Sequence, residues 1–103
     1  MNTETVTIVR IYIREQEHLL KDIVKFLRDD TDAPGVTVLR GVEGFGQNRA
    51  EHSNFLVDLS LDLPLVIEFY DEATRAESII HALLRRFTLP HIMSWTATRH
   101  KPD

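Results

Sequence analysis

The sequence contains no cysteine, and this absence excludes disulfide bonds, thiol catalysis and cysteine-bound zinc. It also contains no run of lysine or arginine, and its formal net charge is -4. Because nucleic-acid binding depends on clustered cations that neutralise phosphates, a nucleic-acid partner is not expected. No apolar run approaches the roughly 20 residues that a membrane span needs, and the N-terminus lacks the pattern of a signal peptide. We therefore expect a cytoplasmic protein that does not insert into membranes.

Glycine is scarce, and its positions are uneven. Three of the four glycines, Gly41, Gly44 and Gly46, fall close together in the chain. They follow an alternating apolar stretch that is typical of a strand, and they precede a long polar segment that ends at Pro64. Glycine tolerates positive φ and lets backbone N–H groups approach a ligand closely. A connection of this length is unusual and is often either functional or disordered, and we place the candidate site around it, with residues 46–62 as the excursion. The alternative for the glycines is a bulge at the base of a hairpin.

Hydrophobic periodicity predicts elements in the order β-α-β-β-α-β. This is the order of the split βαβ unit, which predicts an α+β, ferredoxin-like βαββαβ sandwich. Right-handed crossovers then place two helices on one face of a four-stranded antiparallel sheet, all within a single domain, residues 1–103. The predicted strands are residues 5–13, 36–39, 65–70 and 92–98, and the predicted helices are residues 17–31 and 71–86, with Asp71 as N-cap. Residues 99–103 are predicted to be a polar tail. Residues 53–61, where the excursion returns towards the sheet, alternate and are predicted to pair as a strand with residues 41–47.

The first predicted strand is largely apolar on both faces. The sheet face away from the helices is predicted to carry Ile8, Tyr12 and either Leu65 or Val66. So much apolar area on one sheet face usually marks an interface, so we expect a homo-oligomer. Trp95, in the last strand, is expected in the core.

Three arginines, Arg40, Arg49 and Arg99, are candidates to converge on an anion, because guanidinium groups match phosphate or carboxylate with two hydrogen bonds. The alternative for each is a solvated surface charge. Arg40 is the best candidate because it lies beside the glycine turn. The five histidines lack the spacing of a helix or strand chelate, so neither a metal nor a cofactor is expected. His52 is a candidate for a pH-sensitive contact.

The residues around the long connection resemble the nitrogen-regulatory PII signalling proteins. In PII proteins the second strand runs into a GFG turn and a long T-loop, which returns through a hydrophobic-Pro step into a strand with a V-x-I-E pattern. The matching residues here are 35–38 (GVTV), 44–46 (GFG), 63–64 (LP) and 66–68 (VIE). Over about residues 5–99 the chain is similar to a family of uncharacterised PII-like proteins.

This resemblance implies a homotrimer with small-ligand sites in the clefts between subunits. It also implies that the loop, residues 46–62, rearranges on ligand binding and contacts a protein partner. In PII proteins the GFG turn and the residues after it hold the phosphates of an adenine nucleotide. PII proteins also have a strand-two threonine near the nucleotide base and a glutamate at the edge of the cleft, and both residues have counterparts in this chain. The implied ligand contacts are Thr37, Gly44, Phe45, Gly46, Gln47 and Glu68.

The chain departs from the PII pattern in three places. The connection before the last strand, residues 87–90, contains neither glycine nor lysine, so the resemblance does not extend to binding a full ATP triphosphate. The tyrosine that PII proteins modify has no counterpart, since Tyr12 and Tyr70 both lie outside the loop. The chain also ends too soon to match the PII arginine pair.

We expect a regulatory protein rather than an enzyme, because the sequence has no nucleophile elbow, Walker loop or other recognisable catalytic motif. Two alternatives remain open. One is a trimeric metal-binding protein related to copper-tolerance proteins. The other is an enzyme whose sites form only between subunits.

Overall fold

The computed structural model describes residues 2–42 and 62–103. In this part of the chain the elements follow the predicted order. The predicted return strand at residues 53–61 lies outside the described residues. The elements are β1 (Asn2–Arg14), a 3-10 helix (Glu15–Glu17), α1 (Leu20–Asp30), β2 (Thr37–Arg40), β3 (Pro64–Asp71), α2 (Ala73–Arg86) and β4 (Ile92–Lys101).

The four strands form one antiparallel sheet in the order β2-β3-β1-β4. In its central rows Ile11 lies opposite Ile67 on β3 and Ile92 on β4. Buried residues of both helices join one core with the inward residues of β1 and β3, so both helices cover the same face of the sheet. The predicted α+β, ferredoxin-like arrangement is confirmed.

The core follows from the two periodicities of the sequence. Alternate residues of a strand share a face, so Val9 and Ile11 of β1 are fully buried together with Ile67 of β3. Ile23 and Leu27 lie one helical turn apart on α1 and meet that layer. Full burial of each such side chain contributes roughly 1.5–3 kcal/mol. The α2 residues in this core are Ala76, Ile79 and Leu83.

The helices begin later than the sequence predicted. The 3-10 helix ends at Glu17, and the φ of 57° at its C-cap, His18, is left-handed and interrupts the helical path, so α1 begins at Leu20. In α2 the N-cap is Glu72, whose carboxylate accepts the Arg75 N–H at 2.7 Å. The predicted N-cap, Asp71, is instead the buried last residue of β3, because its backbone pairs with β1.

β1 and β4 extend beyond the rest of the sheet. Their pairing begins at Asn2 and Lys101, whereas β3 joins β1 only from Thr7. Residues 2–6 and 97–101 therefore form a two-stranded extension, called the ribbon below. The polar tail predicted at residues 99–103 is thus mostly strand, because Arg99 pairs with Glu4 in register and through their side chains.

The sheet face away from the helices, called the open face below, carries large apolar side chains in contact with solvent. Trp95 was expected in the core, and this prediction was wrong. Its register partner is Ile8, which lies on the open face, and 43% of Trp95 is exposed. Of the two candidates on β3, Val66 is on the open face, and Leu65 belongs to the core. Other exposed apolar residues of this face are Tyr12, Leu39, Tyr70 and Met93.

Candidate functional site

The two ends of the long connection meet at the edge of the sheet, where β2 ends and β3 begins. The Gly41 N–H donates to the Pro64 carbonyl with an N···O distance of 2.7 Å. A Cβ added to Gly41 would lie 2.6 Å from Pro64 Cγ, which no real Cβ tolerates. Neither Gly35 nor Gly41 has positive φ. Glycine is therefore required at residue 41 by close approach, not by a left-handed backbone.

A buried carboxylate, that of Asp62, holds the end of the long connection that leads into β3. Asp62 is buried, with a side chain only 6% exposed. Arg14 Nε donates to Asp62 Oδ2 at 2.9 Å, and Arg14 Nη2 donates to the Asp62 carbonyl at 2.6 Å. The Gln16 N–H donates to Asp62 Oδ1 at 3.3 Å. The end of β1 therefore holds this residue through both its side chain and its backbone.

The end of the connection that follows β2 is held by the 3-10 helix, which also supplies the Gln16 N–H to Asp62. Arg40 Nη2 lies 2.9 Å from Glu15 Oε1, and the Arg40 side chain is 55% exposed. The Glu15 N–H donates to the Leu63 carbonyl at 2.9 Å. Glu15 Oε2 is buried and accepts no hydrogen bond from the described residues. We call Arg14, Glu15, Arg40 and Asp62 the loop-base clamp, because they join both ends of the connection to one turn.

Two of the predicted ligand residues lie side by side on the open face. Thr37 on β2 is directly opposite Glu68 on β3, and Glu68 is opposite Arg10 on β1. Arg10 Nε donates to Glu68 Oε1 at 2.6 Å. This hydrogen bond, followed by one to Tyr12, raises the pKa of Arg10 above its usual value. Glu68 therefore already has a cationic partner within its own chain.

Two of the three arginines predicted to converge, Arg40 and Arg99, lie far apart within one chain. Arg40 lies beside the end of β1, whereas Arg99 pairs with Glu4 near its beginning, about 30 Å away along the strand. Arg99 Nη1 donates to Glu4 Oε1 at 2.7 Å, which raises the pKa of Arg99 and lowers that of Glu4. The other predicted site residues, Gly44, Phe45, Gly46, Gln47 and Arg49, lie outside the described residues, as does His52.

A cleft of about 250 Å³ opens beside the ribbon. Its polar wall includes Tyr70, Asp71 and two arginines. Arg75 binds Asp71 at 3.0 Å, and Arg99 binds Glu4, so both guanidinium groups are already neutralised. The cleft is lined by three carboxylates, Glu4, Asp71 and Glu72, against these two arginines, so its surplus of negative charge makes it a poorer anion site than the surroundings of Arg40.

The described residues contain no group of three histidine or carboxylate side chains that could hold a metal ion. Within the same residues, neither α1 nor α2 has the length and apolar character needed to cross a membrane.

Sequence reasoning missed the loop-base clamp except for Arg40. Asp62 was expected only as the last residue of the excursion, residues 46–62. One available signal was position: Asp62 directly precedes the Leu63-Pro64 step, and Arg14 ends the apolar run of β1. Arg10 was also missed, although a lone cation in the middle of an apolar strand usually requires a partner.

Comparison with known protein families identifies the family to which this chain belongs. The model of the DUF190 family, described as Uncharacterized ACR, matches residues 6–98. The chain belongs to the DUF190 family. A UPF0166 protein of Aquifex aeolicus strain VF5 is 37% identical over 65 residues. That match covers 63% of this chain and 66% of the relative, so it spans slightly less than two thirds of the relative's length.

Solved PII-like structures share the fold of this DUF190 chain. CPII from Thiomonas intermedia K12, in a structure bound to ADP, AMP and acetate, gives a TM-score of 0.68 with 12% identity, covering 99% of this chain and 95% of CPII. A candidate PII-like signalling protein from Thermus thermophilus gives 0.60 with 17% identity, covering 96% of this chain and 91% of that protein. At these identities the likeness establishes the fold alone.

Proposed function

We propose that this DUF190 chain is a PII-like cytoplasmic regulator that binds a small anionic ligand of the adenine nucleotide class. In this proposal three copies assemble, the ligand occupies clefts between them, and residues 46–62 signal to a protein partner. The chain acts as a binding protein and not as an enzyme. The main support is its PII-like fold over nearly the whole chain, shared with a protein whose structure contains ADP and AMP.

Assembly of several copies is supported by two features that are unfavourable in a single copy. The open face exposes Tyr12, Tyr70 and Trp95 together, although apolar side chains gain free energy by leaving water. The ribbon pairs only two strands, and two-stranded sheets are marginal in water unless other elements support them. Contact with neighbouring copies would support both.

Anion binding is supported by the loop-base clamp. Arg40 is a partly exposed cation at the base of the connection, and among the described residues one carboxylate, Glu15, holds it. A guanidinium has five N–H donors, so one carboxylate leaves donors for a phosphate. Thr37 and Glu68 do not add to this site within one chain, because they lie on the open face whereas Arg40 lies opposite the core residue Leu65.

The connection between α2 and β4 points to a mono- or diphosphate rather than a triphosphate. In this connection Leu89 is buried in the core, and the Phe87 ring contacts Phe26 edge-on at 5.7 Å. These residues are held by packing, and they offer neither a lysine nor a glycine-rich backbone to additional phosphates. We therefore expect AMP or ADP to bind more tightly than ATP.

The test is isothermal titration calorimetry with AMP, ADP, ATP and adenosine, supported by thermal unfolding. A ligand that binds only the folded state raises stability by about 2.7 kcal/mol at a hundredfold excess over Kd. Arg40→Gln is expected to weaken AMP or ADP at least tenfold. Arg28→Gln is the matched control, because Arg28 also pairs with one carboxylate but lies on α1. Absence of binding by all four compounds, or equal affinity of both variants, would overturn the proposed site.

A further inference from the structure

One edge of β1 has no partner strand among the described residues where β1 enters the ribbon. β3 pairs with β1 only as far as Thr7, which lies opposite Asp71, and the chain then turns into α2. On its other side β1 continues to pair with β4 as far as Asn2. Residues 2–6 are therefore paired along one edge and open along the other, at the position in the sheet where β3 would continue.

The pairing pattern shows which backbone groups point into this open edge. The Tyr12 N–H donates to the His91 carbonyl on the β4 side at 3.0 Å, whereas the Glu15 N–H donates on the β3 side at 2.9 Å. Successive residues of an antiparallel strand direct their N–H and C=O groups to opposite edges. Even-numbered residues of β1 therefore face β4, and odd-numbered residues face β3. The N–H and C=O groups of Thr3 and Thr5 thus point into the open edge.

Backbone groups of this kind can accept an extended peptide as an additional strand. Proteins usually block such edges with proline, a bulge or an unpaired charge. Residues 2–6 contain no proline, and their pairing with β4 is continuous. Their one charged side chain, Glu4, is neutralised by Arg99 and by a second cation of β4. A third strand would also support the ribbon, because two-stranded sheets are marginal in water.

The cleft of about 250 Å³ lies beside this edge. Its walls include Glu4 and Val6 of β1, and Asp71 and Glu72 at the junction of β3 and α2. Because side chains alternate along a strand, an added residue opposite Thr5 would share the face of Asp71, with its Cα about 7 Å away along the line of β3. Its two neighbours would share the face of Glu4 and Val6. The cleft therefore lies where the side chains of an added strand would be.

The charges of the cleft favour a basic segment. Three carboxylates line it against two arginines, and Asp71 Oδ2 accepts no hydrogen bond from the described residues. A lysine or arginine opposite Thr5 would lie beside Asp71 and Glu72, and opposite charges at neighbouring positions stabilise a sheet. An acidic peptide or a nucleic acid would be repelled. A second copy paired edge to edge would bring together two clefts with the same surplus of negative charge, which is unfavourable.

We propose that the open edge of β1, at Thr3 and Thr5, is a docking site for an extended segment of a protein partner with basic residues at alternate positions. The segment adds as a strand in line with β3 and places a basic side chain opposite Thr5. This site goes beyond the proposed function, because it lies at the opposite end of β1 from the loop-base clamp. Its backbone groups lie in the plane of the sheet, so copies packed against the open face would leave it accessible.

Amide hydrogen exchange of the protein alone tests whether the edge is open. The N–H groups of Glu4 and Val6 face β4 and should exchange slowly, whereas those of Thr3 and Thr5 should exchange rapidly. Protection of Thr3 and Thr5 in the absence of a partner would show that this chain or a second copy already covers the edge, and it would overturn the proposal.

The docking itself is tested with a synthetic peptide of sequence VKVKV, acetylated and amidated at its ends. We expect the peptide to protect the N–H groups of Thr3 and Thr5 from exchange and to shift their NMR signals. Two controls are VEVEV, which reverses the charge, and VKVKV methylated on the backbone nitrogen of both lysines, which would lie opposite Thr3 and Thr5. Each control should bind at least tenfold more weakly. Absence of VKVKV binding, binding away from the ribbon, or equal binding of either control would overturn the proposal.

Two pairs of variants locate the contacts. Thr5→Pro removes an N–H that β4 does not use, so the fold should persist, and we expect VKVKV to bind at least tenfold more weakly. Thr5→Val keeps that N–H and should bind like wild type. Glu72→Gln keeps an oxygen to cap α2 and should weaken VKVKV by about threefold. Glu77→Gln, an exposed change farther along α2, should have no effect. With circular dichroism showing each variant folded, wild-type binding by Thr5→Pro would contradict the assigned edge.

Discussion

Arg40 Nη2 lies 2.9 Å from Glu15 Oε1, so the arginine best placed to bind an anion is already held by a carboxylate of its own chain. The pair is partly exposed, and such pairs are worth about 0.2–1 kcal/mol. A phosphate bound to the remaining donors of Arg40 would therefore compete with Glu15 for the same guanidinium. Because Glu15 also binds the Leu63 carbonyl through its N–H, this competition would take place where both ends of the long connection are attached. Ligand binding and the position of the connection would then be linked through one carboxylate.

Glu15→Gln is expected to tighten the binding of AMP or ADP by about twofold to fivefold. Removing the charge frees Arg40 from a competitor, and a gain of about 0.4–1 kcal/mol corresponds to that ratio in Kd. Calorimetry in low-salt buffer measures it. Glu77→Gln, which removes an exposed carboxylate from α2, is the control and should leave Kd unchanged. Weaker binding by Glu15→Gln would mean that Glu15 supports the ligand instead of competing with it.

Gly41→Ala is expected to destabilise the fold by about 1–3 kcal/mol, because the new methyl group overlaps the ring of Pro64, whose Cγ can move only by a change of ring pucker. Gly35→Ala is the matched control. A Cβ at Gly35 meets no atom within 4 Å, so this change should be neutral or stabilise by up to about 1 kcal/mol. Urea unfolding of both variants measures the difference. Equal free energies of unfolding for the two variants would show that the close contact between Gly41 and Pro64 can open without cost to the fold.

The arrangement of the sheet and helices was predictable because it depends on local periodicity. The expected position of Ile8 and Tyr12 on the open face leaves Val9 and Ile11 for the core, and the helical periodicity of residues 17–31 includes Ile23 and Leu27. Each of these assignments needs only the spacing of apolar residues along one element. The order of elements then selected the sheet topology through the handedness of the crossovers.

The features that were not predicted depend on register between distant strands. Trp95 faces outward because it lies opposite Ile8, and Arg99 belongs to a strand because it lies opposite Glu4. A change of one residue in register would turn Trp95 to the other face, and composition does not determine register. The Arg14–Asp62 contact similarly joins residues 48 apart in sequence. Of the predicted site, Thr37 and Glu68 were brought together, whereas Arg40 and Arg99 were not.

Asp62→Ala is expected to reduce the free energy of unfolding by about 2–3 kcal/mol. Breaking a buried ion pair costs about 3–5 kcal/mol, and the partial exposure of Arg14 reduces that cost. Asp62→Asn should cost less, because one amide oxygen can still accept the Gln16 N–H. Chemical denaturation gives the values. Asp29→Ala removes an exposed pair and should change stability by less than about 0.5 kcal/mol. If Asp62→Ala were equally mild, the clamp would not hold the connection.

The ribbon is expected to loosen in acid because of Glu4. The hydrogen bond from Arg99 lowers the pKa of Glu4 below its usual value of 4.5. A carboxylate with a lower pKa in the folded state stabilises the fold fully above pH 4.5, and this stabilisation is lost as pH falls through the folded-state pKa. A carbon-detected NMR titration should therefore place the midpoint of Glu4 below 4.5, and protection of the residue 97–101 amides should decrease over the same range.

Glu4→Gln provides the decisive comparison for the ribbon. The variant lacks the ionisable group, so its amide protection in β4 should be lower than that of wild type near pH 6, and the two should converge as the acid limit is approached. Arg99→Gln should move the midpoint of Glu4 back towards 4.5, because it removes the largest cause of the shift. Lys101, at 3.4 Å, would retain a smaller part of it. A difference between wild type and Glu4→Gln that does not depend on pH would assign the effect to side-chain packing instead of charge.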